Sequence, residues 1–194
     1  MTGREPAAQA ERRERILDST VALASRGGYD AVQMRAVAEH ADVALGTLYR
    51  YFPSKVHLLV SALARELAAA ERATRDQPPA GETAAERVRA LLRRTTVPMQ
   101  QDPGLTEALT RAFMFADASA RDEIRAVSRM LVTMLSRAIR PDEEPTADDL
   151  AAAAVIRDVW LASLVGWVTG RTTAADVTRS LDAAVRLLLR ESSS

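Results

Sequence analysis

The chain lacks cysteine altogether and contains only two histidines among its 194 residues. Without cysteine it cannot form disulfide bonds, thiolate nucleophiles or cysteine-based zinc sites. His40 and His57 alone cannot build a histidine-rich metal site, and neither has an evident nucleophile partner in the sequence. No glycine-rich phosphate loop is present either. We therefore expect a protein that is not an enzyme and that holds no metal and no cofactor.

Aromatic residues, glycine and proline are also scarce. Aromatic residues make up 4% of the chain, and glycine and proline occur eight times each. Alanine, leucine, valine and arginine dominate instead, and this composition favours helix over sheet. No apolar run reaches the roughly 20 residues that a membrane span needs, and no apolar targeting segment follows Met1. The sequence predicts an all-α, cytoplasmic protein whose apolar content of 47% is sufficient for a full core.

The chain has no net charge, because 26 basic residues balance 26 acidic ones. The position of the charges is more informative than their sum. From Val43 to Arg65 there is no acidic residue, while Arg50, Lys55 and Arg65 are basic. Lys55 is also the only lysine. This stretch is where phosphates of a nucleic acid would find positive charge.

Breaks rich in glycine and proline divide the chain into about nine segments of helical periodicity. The first segment ends at Gly27-Gly28, as at a left-handed helix cap. Hydroxyl residues precede several later segments and predict helix starts. The predicted caps include Ser54, Thr83 with Glu86, Thr146 with Asp149, and Thr173 with Asp176.

The stretch from Gln33 to Lys55 has the pattern of two short helices joined by a tight turn. We predict helices at about 34–41 and 45–51, with Asp42-Val43-Ala44 as the turn. In a helix-turn-helix the second helix enters the major groove, which is wide enough to admit one helix. The sequence therefore predicts a unit that binds double-stranded DNA. Its inner face is expected to contain Val37, Ala38, Ala41, Val43, Leu48 and Tyr51.

Three residues of the predicted recognition helix, Thr47, Tyr49 and Arg50, lie on the turns expected to face outward. Their hydroxyl and guanidinium groups suit base edges or phosphates. The alternative is that the aromatic residues of this helix belong to the core and that Arg50 is a solvated charge. The ordered combination of these residues favours DNA contact.

Other polar residues of the stretch suit the phosphate backbone. Tyr51 and Lys55 lie at the end of the recognition helix and the start of the next helix, where a phenol, an ammonium group and free backbone amides suit a phosphate. Gln33 is expected to cap the second helix and to hold another phosphate, with Arg35 beside it. The full predicted DNA-binding set is Gln33, Arg35, Leu45, Gly46, Thr47, Tyr49, Arg50, Tyr51 and Lys55.

The segment Gly46-Thr-Leu-Tyr-Arg-Tyr-Phe-Pro-Ser-Lys55, preceded by Val37-Ala38 and Ala41-Asp-Val43, resembles the N-terminal signature of the TetR family of transcriptional regulators. This resemblance implies an N-terminal arm and three-helix DNA-binding domain at 1–53. It also implies a larger helical domain at 54–194 that binds a small ligand and dimerises. Two copies would then read an inverted-repeat operator together.

Three residues depart from the family pattern. Asp42 stands where the family usually has glycine, and aspartate is among the few residues that tolerate a left-handed turn. Ala44 replaces the common serine cap of the recognition helix, whose loss costs about 1 kcal/mol. Leu45 replaces a frequent basic residue and so removes one phosphate contact or substitutes an apolar contact, such as one with a thymine methyl group.

The C-terminal two-thirds of the chain contains four of the six methionines and four of the eight aromatic residues, which could line a large hydrophobic cavity. Methionine adapts its shape to bulky ligands, and Trp160, Leu164 and Trp167 share one helix face by their spacing. For any one of these residues alone, an ordinary core position is the more common outcome. The predicted ligand-binding residues are Met99, Leu109, Phe113, Met130, Met134, Trp160, Leu164 and Trp167.

The segments 53–66, 105–119 and 158–164 resemble a group within the TetR family, the actinobacterial repressors of cholesterol catabolism. This resemblance implies a repressor of sterol and lipid breakdown genes that leaves its operator when a coenzyme A thioester of a sterol catabolite binds. A regulator of fatty-acid metabolism or drug efflux, with a different hydrophobic ligand, is the alternative within the same fold. A helical adaptor that no longer binds DNA is a further alternative.

The last two predicted helices are candidates for a homodimer interface. The eighth, at about 150–168, is apolar nearly all round, and the ninth repeats an apolar face. A helix that is apolar on every side needs more than one packing partner. We expect these helices from two chains to form a four-helix interface.

Overall fold

The computed structural model describes residues 4–189, and in this range α-helix is the dominant structure. Nine α-helices follow one another in this part of the chain, with a short 3-10 turn at Ala118–Ala120. The predicted all-α fold of about nine helices is confirmed. The helices are α1 (Arg4–Ala31), α2 (Met34–His40), α3 (Leu45–Tyr51), α4 (Lys55–Asp76), α5 (Ala84–Gln101), α6 (Pro103–Met114), α7 (Arg121–Ile139), α8 (Ala147–Val168) and α9 (Ala174–Leu188).

By its packing the described chain forms two compact units. Helix α6 packs extensively against α1 and therefore belongs to the N-terminal unit. The functional division predicted from the sequence, 1–53 and 54–194, stays a prediction. The N-terminal unit contains residues 4–65 and 102–124, and the C-terminal unit contains residues 66–101 and 125–189.

Two glycines permit the close approach of α1 and α6 in the N-terminal unit. Helix α1 is interrupted at Gly28, whose φ of +65° and ψ of −159° lie in a region that only glycine adopts easily. A Cβ atom at Gly28 would lie 2.6 Å from Glu107 Oε2. A Cβ atom at Gly104 would lie 2.9 Å from the carbonyl oxygen of Ala24. The predicted break at Gly27-Gly28 is confirmed, although helical residues resume and continue to Ala31.

Reciprocal capping boxes start α8 and α9, as the sequence predicts. At α8 the Thr146 hydroxyl accepts the Asp149 N–H at 3.2 Å, and the Asp149 carboxylate accepts the Thr146 N–H at 2.9 Å. The same carboxylate accepts a hydrogen bond from Arg140 Nε at 2.7 Å. The donors, Arg140 first and then the Thr146 backbone, lower the pKa of Asp149.

Replacing Asp149 with asparagine is expected to lower the free energy of unfolding at neutral pH, because asparagine is not an anionic partner for Arg140. The lowered folded-state pKa means that Asp149 stabilises the fold above its unfolded pKa of about 3.9 and loses this effect as the pH falls through the folded-state value. Urea unfolding of wild type and variant should therefore differ at about pH 7, and the difference should shrink progressively as the pH falls below about 4. A difference of the same size at both pH values would contradict this account.

In the C-terminal unit α9 packs against both α8 and α5. Helix α8 is apolar on its exposed side as well, since Leu150 and Val155 are 44% and 46% exposed. Among the described helices, α8 is also long and apolar enough to cross a membrane. A core helix of a soluble protein has the same length and composition, so this is weak evidence for a membrane span. The buried face of α8 contains Ala153, Ile156, Trp160, Leu164 and Gly166.

Candidate DNA-binding site

Helices α2 and α3 pack against each other as the predicted helix-turn-helix. Val37 and Leu48 are fully buried and Ala38 is 3% exposed, so the small alanine allows the two helices to come close. In the turn, Asp42 has a φ of +52°, the left-handed conformation expected at this position. The turn therefore tolerates aspartate in place of glycine.

Every predicted DNA-binding residue is at least partly accessible, and Tyr49 is 46% exposed. Tyr49 and Arg50 are adjacent and exposed on the outer side of α3. Leu48, which directly precedes Tyr49, is buried and anchors the helix in the core. This arrangement is the one that a recognition helix needs to reach base edges. Gln33, Arg35, Gly46, Tyr49 and Arg50 are exposed, and Leu45, Thr47, Tyr51 and Lys55 are half-buried.

The starts of α2 and α3 lack side-chain caps. Gln33 occupies the N-cap position of α2, but its side chain makes no capping hydrogen bond, so the predicted capping role is wrong. Capping is typical of the shorter side chains of serine, threonine, aspartate and asparagine, whose oxygen lies close to the first amides. Ala44 occupies the N-cap position of α3 and has no oxygen to offer.

Replacing Ala44 with serine is expected to stabilise the protein by about 1 kcal/mol. Ala44 is exposed and already has the extended backbone of an N-cap, with φ −63° and ψ 140°. For a chain of this size the midpoint of thermal unfolding should rise by about 2–4 °C. Ala69→Ser, at an exposed position inside α4, is the control and should lower the midpoint slightly, because serine is a poorer helix former than alanine. A similar change in both variants would contradict the capping argument.

Lys55, the first residue of α4, lies against the end of α1. Its ammonium group is 3.7 Å from the centroid of the Tyr29 ring, and the Arg111 guanidinium is 4.4 Å from the same centroid. Burial is the main cause that lowers the pKa of Lys55, and Arg111 also lowers it, while Asp30 and Glu107 oppose the shift. The side chain that the sequence assigns to a phosphate is thus positioned by an aromatic ring.

Tyr29 is itself held by α6. Its backbone N–H donates to Glu107 Oε2 at 2.6 Å. Arg111, one turn after Glu107, lies within ion-pair distance of Asp30 at 3.5 Å. Sequence reasoning missed this contact of α1, α4 and α6, because Tyr29 and Glu107 are 78 positions apart and neither belongs to a recognisable motif.

Each histidine lies beside a serine hydroxyl. Ser54 Oγ is 2.9 Å from His57 Nδ1, and Ser19 Oγ is 3.1 Å from His40 Nδ1. Ser54 also caps α4 by accepting the His57 N–H at 3.4 Å, as the sequence predicts. His57 Nε2 lies 3.1 Å from the Ser119 carbonyl oxygen, so both ring nitrogens make structural contacts. Among the described side chains, those of residues 7–189, no group of three or more metal-ligating residues is present.

The eight predicted ligand-binding residues divide between the two units. Leu109 and Phe113 lie on α6 in the N-terminal unit, and the other six lie on α5, α7 and α8 in the C-terminal unit. One surface pocket of the C-terminal unit, with a volume of about 310 Å³, is lined by Met134. Its other lining residues include Arg75, Arg87 and Arg137. Trp160 and Leu164 are buried in the core of the same unit.

Two family models match the chain. Residues 16–62 match the model described as bacterial regulatory proteins, tetR family, and residues 81–188 match the tetracyclin repressor-like C-terminal domain. The chain is 59% identical over 186 residues to the HTH-type transcriptional repressor KstR of Rhodococcus jostii, covering 96% of this chain and 86% of that protein.

Solved structures have the same fold. A TetR transcriptional regulator from Rhodococcus sp. RHA1 is 29% identical in sequence to this chain and superposes with a TM-score of 0.86. The match covers 96% of this chain and 100% of the Rhodococcus chain. Thermus thermophilus FadR, a TetR-family repressor in complex with lauroyl-CoA, is 22% identical in sequence and superposes with a TM-score of 0.75. The match covers 94% of this chain and 98% of the FadR chain.

Proposed function

The chain belongs to the TetR family of bacterial transcriptional regulators, and we propose that it represses genes of sterol and lipid breakdown until a hydrophobic effector releases it from DNA. It is a transcriptional repressor similar to KstR and not an enzyme. The observation that carries the proposal is the 59% identity across both units, because ligand-binding domains diverge more readily than DNA-binding domains within a family that senses many ligands.

The proposed operator contacts lie on α3 and on the first residues of α4. Thr47, Tyr49 and Arg50 read base edges, and Tyr51 with Lys55 holds phosphates. The accessible positions of these side chains and the absence of acidic residues from Val43 to Arg65 support this assignment. An inverted-repeat operator would present one half-site to each copy of the helix-turn-helix.

The proposed homodimer forms through α8 and α9. Exposed apolar side chains on both helices support it: Leu150 and Val155 on α8, and Leu187 and Leu188 on α9, are 40% to 60% exposed. Burying such side chains against a second copy removes apolar area from water, which is the main driving force of association. A protein of this kind acts in the cytoplasm, where its operator is.

The proposed effector is a coenzyme A thioester of a sterol catabolite, bound in the C-terminal unit. The lauroyl-CoA held by Thermus thermophilus FadR is an example of an acyl-CoA ligand on this fold. In this chain the proposed contacts include the methionines of α5 and α7 and the apolar face of Trp160, Leu164 and Trp167. Binding would favour dimers whose DNA-binding helices are wrongly spaced for the operator, a shift between populations of conformations.

A fluorescence anisotropy titration on the gene's own upstream DNA tests the proposal. Wild-type protein should bind at moderate salt and should be released by a steroid CoA thioester, but not by free coenzyme A. Absence of binding under these conditions would overturn the repressor assignment. Release by fatty-acyl CoA alone would overturn the sterol assignment and favour the alternative of a fatty-acid regulator; release by cationic drugs alone would favour an efflux regulator.

A further inference from the structure

The indole N–H of Trp160 is buried in the C-terminal unit without a hydrogen-bond acceptor. The residue is 4% exposed, and no acceptor in the described part of the chain pairs with its Nε1. An indole N–H only donates, so no other hydrogen bond compensates for this loss. Buried donors in folded proteins are nearly always paired, and an exception calls for a specific explanation.

The surroundings of Trp160 on its own helix offer no acceptor. Ala153, Ile156 and Leu164 share the buried face of α8 with it, and each is at most 2% exposed. The backbone carbonyl groups of this face take part in the helix. A donor in such an apolar environment forms a stronger hydrogen bond with any acceptor that reaches it.

Thr96 on α5 is the other described residue with a buried, unpaired side-chain atom, and it has a simpler explanation. Its side chain lines a small pocket of about 20 Å³ between α5 and α9, which is enough room for one water molecule. Trp160 does not line that pocket. Solvent in this pocket would therefore account for Thr96 and not for Trp160.

We infer that Trp160 Nε1–H donates a hydrogen bond to a carbonyl oxygen of the bound effector. This inference rests on the proposed function, which places a hydrophobic ligand in the C-terminal unit. A neutral carbonyl fits better than a carboxylate, because a single neutral donor does not compensate a buried negative charge. In a sterol thioester the carbonyl is a ring ketone or the thioester itself. An effector without that oxygen leaves the donor unpaired and should bind about tenfold to a hundredfold more weakly.

The test compares Trp160→Phe with wild type in release from the upstream DNA, using full-length protein. Phenylalanine keeps an aromatic ring and removes the N–H. Three probes separate the two carbonyl sources: a steroid CoA thioester with a ring ketone, the same thioester without ring oxygen, and the ring-ketone steroid joined to CoA by a thioether. Lauroyl-CoA is a fourth probe. Thr96→Val is the matched control, because it also removes a buried unpaired donor, and it should respond as wild type does.

If the ring ketone is the acceptor, Trp160→Phe requires about tenfold to a hundredfold more ketone thioester for release and loses the preference for it over the ring-deoxygenated thioester. If the thioester carbonyl is the acceptor, Trp160→Phe requires more of both thioesters for release from DNA, by the same factor. The thioether analogue then releases both wild type and variant only weakly. If every probe releases Trp160→Phe from DNA at the same concentration as wild type, the inference is overturned while the proposed function stays intact.

A second measurement does not depend on the variant being well folded. The chain has two tryptophans, so an amide correlation spectrum of the wild-type protein contains two indole N–H signals, which Trp167→Phe assigns. The Trp160 signal should move downfield when a carbonyl probe binds, as expected for a new hydrogen bond. If the steroid probes do not release wild type from DNA but lauroyl-CoA still moves the Trp160 signal, the sterol proposal is overturned and the inference about Trp160 is not. A Trp160 signal that no probe moves would overturn the inference.

Discussion

Replacing Lys55 with alanine is expected to weaken operator binding by about tenfold or more and to reduce its salt dependence. A lysine that neutralises a phosphate releases condensed counterions, so each lost contact lowers the slope of log K against log salt by about 0.9. The proposed dimer loses two contacts, and its slope should fall by about 2. Anisotropy titrations over a range of salt concentrations measure the affinity and the slope together.

Arg72→Ala is the matched control for this experiment. Arg72 is an exposed cation on the same helix, but it lies in the C-terminal unit. The substitution removes the same charge and should leave both affinity and slope near wild type. A Lys55→Ala variant that keeps the wild-type slope would show that its ammonium group does not contact a phosphate.

Tyr29 should contribute to the same contact through Lys55. Its ring, 3.7 Å from the ammonium group, restricts a flexible side chain that carries about 2 kcal/mol of rotamer entropy. Tyr29→Phe keeps the ring and should bind DNA as wild type does, whereas Tyr29→Leu should lose part of the affinity. In a Lys55→Ala background neither Tyr29 substitution should change the DNA affinity further, because the ammonium group that the ring positions is then absent.

The parts of the structure that the sequence predicts well depend on residues that are close together in the chain. Thr146 and Asp149 form a capping box across three positions, and Asp42 marks a left-handed turn by its own conformational tolerance. The helix-turn-helix is likewise contained in one short stretch, from Gln33 to Lys55. Residues close together in the chain determine these features, so one sequence is enough to predict them.

The contact between α1, α4 and α6 depends on pairing at long range. The periodicity of α6 indicates which face is apolar but not which helix it packs against. Gly28 lies close to the Glu107 side chain and Gly104 close to the backbone of α1, yet each glycine also fits an ordinary helix end when it is considered alone. The function of Tyr29 and Glu107 therefore became visible only in the structure.

The predicted ligand-binding residues stay predictions for a different reason. Core and pocket residues have the same composition and the same helical spacing. Leu164 is 2% exposed in the core, whereas Met134 is 3% exposed and lines a pocket. Hydrophobicity does not distinguish these two environments. The unpaired indole N–H of Trp160 supplies an additional criterion for the proposed effector contact, and it requires the three-dimensional structure of the described residues.

Replacing Gly28 with alanine is expected to destabilise the protein by about 3 kcal/mol or more, because two costs combine at this position. Its backbone conformation costs a non-glycine residue about 1–3 kcal/mol. In addition, the new Cβ atom would lie 2.6 Å from Glu107 Oε2 and would displace the carboxylate that accepts the Tyr29 N–H. A hydrogen bond to a charged group contributes about 1.5–3 kcal/mol. The midpoint of thermal unfolding should fall by roughly 6–12 °C or more, as followed by circular dichroism.

Gly170→Ala separates the two costs. Gly170 has a φ of +71°, but a Cβ atom there would meet nothing within 4 Å, so the backbone cost remains and the steric cost disappears. This control should lose only about 1 kcal/mol. In a Glu107→Ala background, Gly28→Ala should also become less costly, since the carboxylate is no longer in its way. Equal losses for Gly28→Ala and Gly170→Ala would mean that the Glu107 contact contributes nothing, and the link from α6 through Tyr29 to Lys55 would then lack its structural basis.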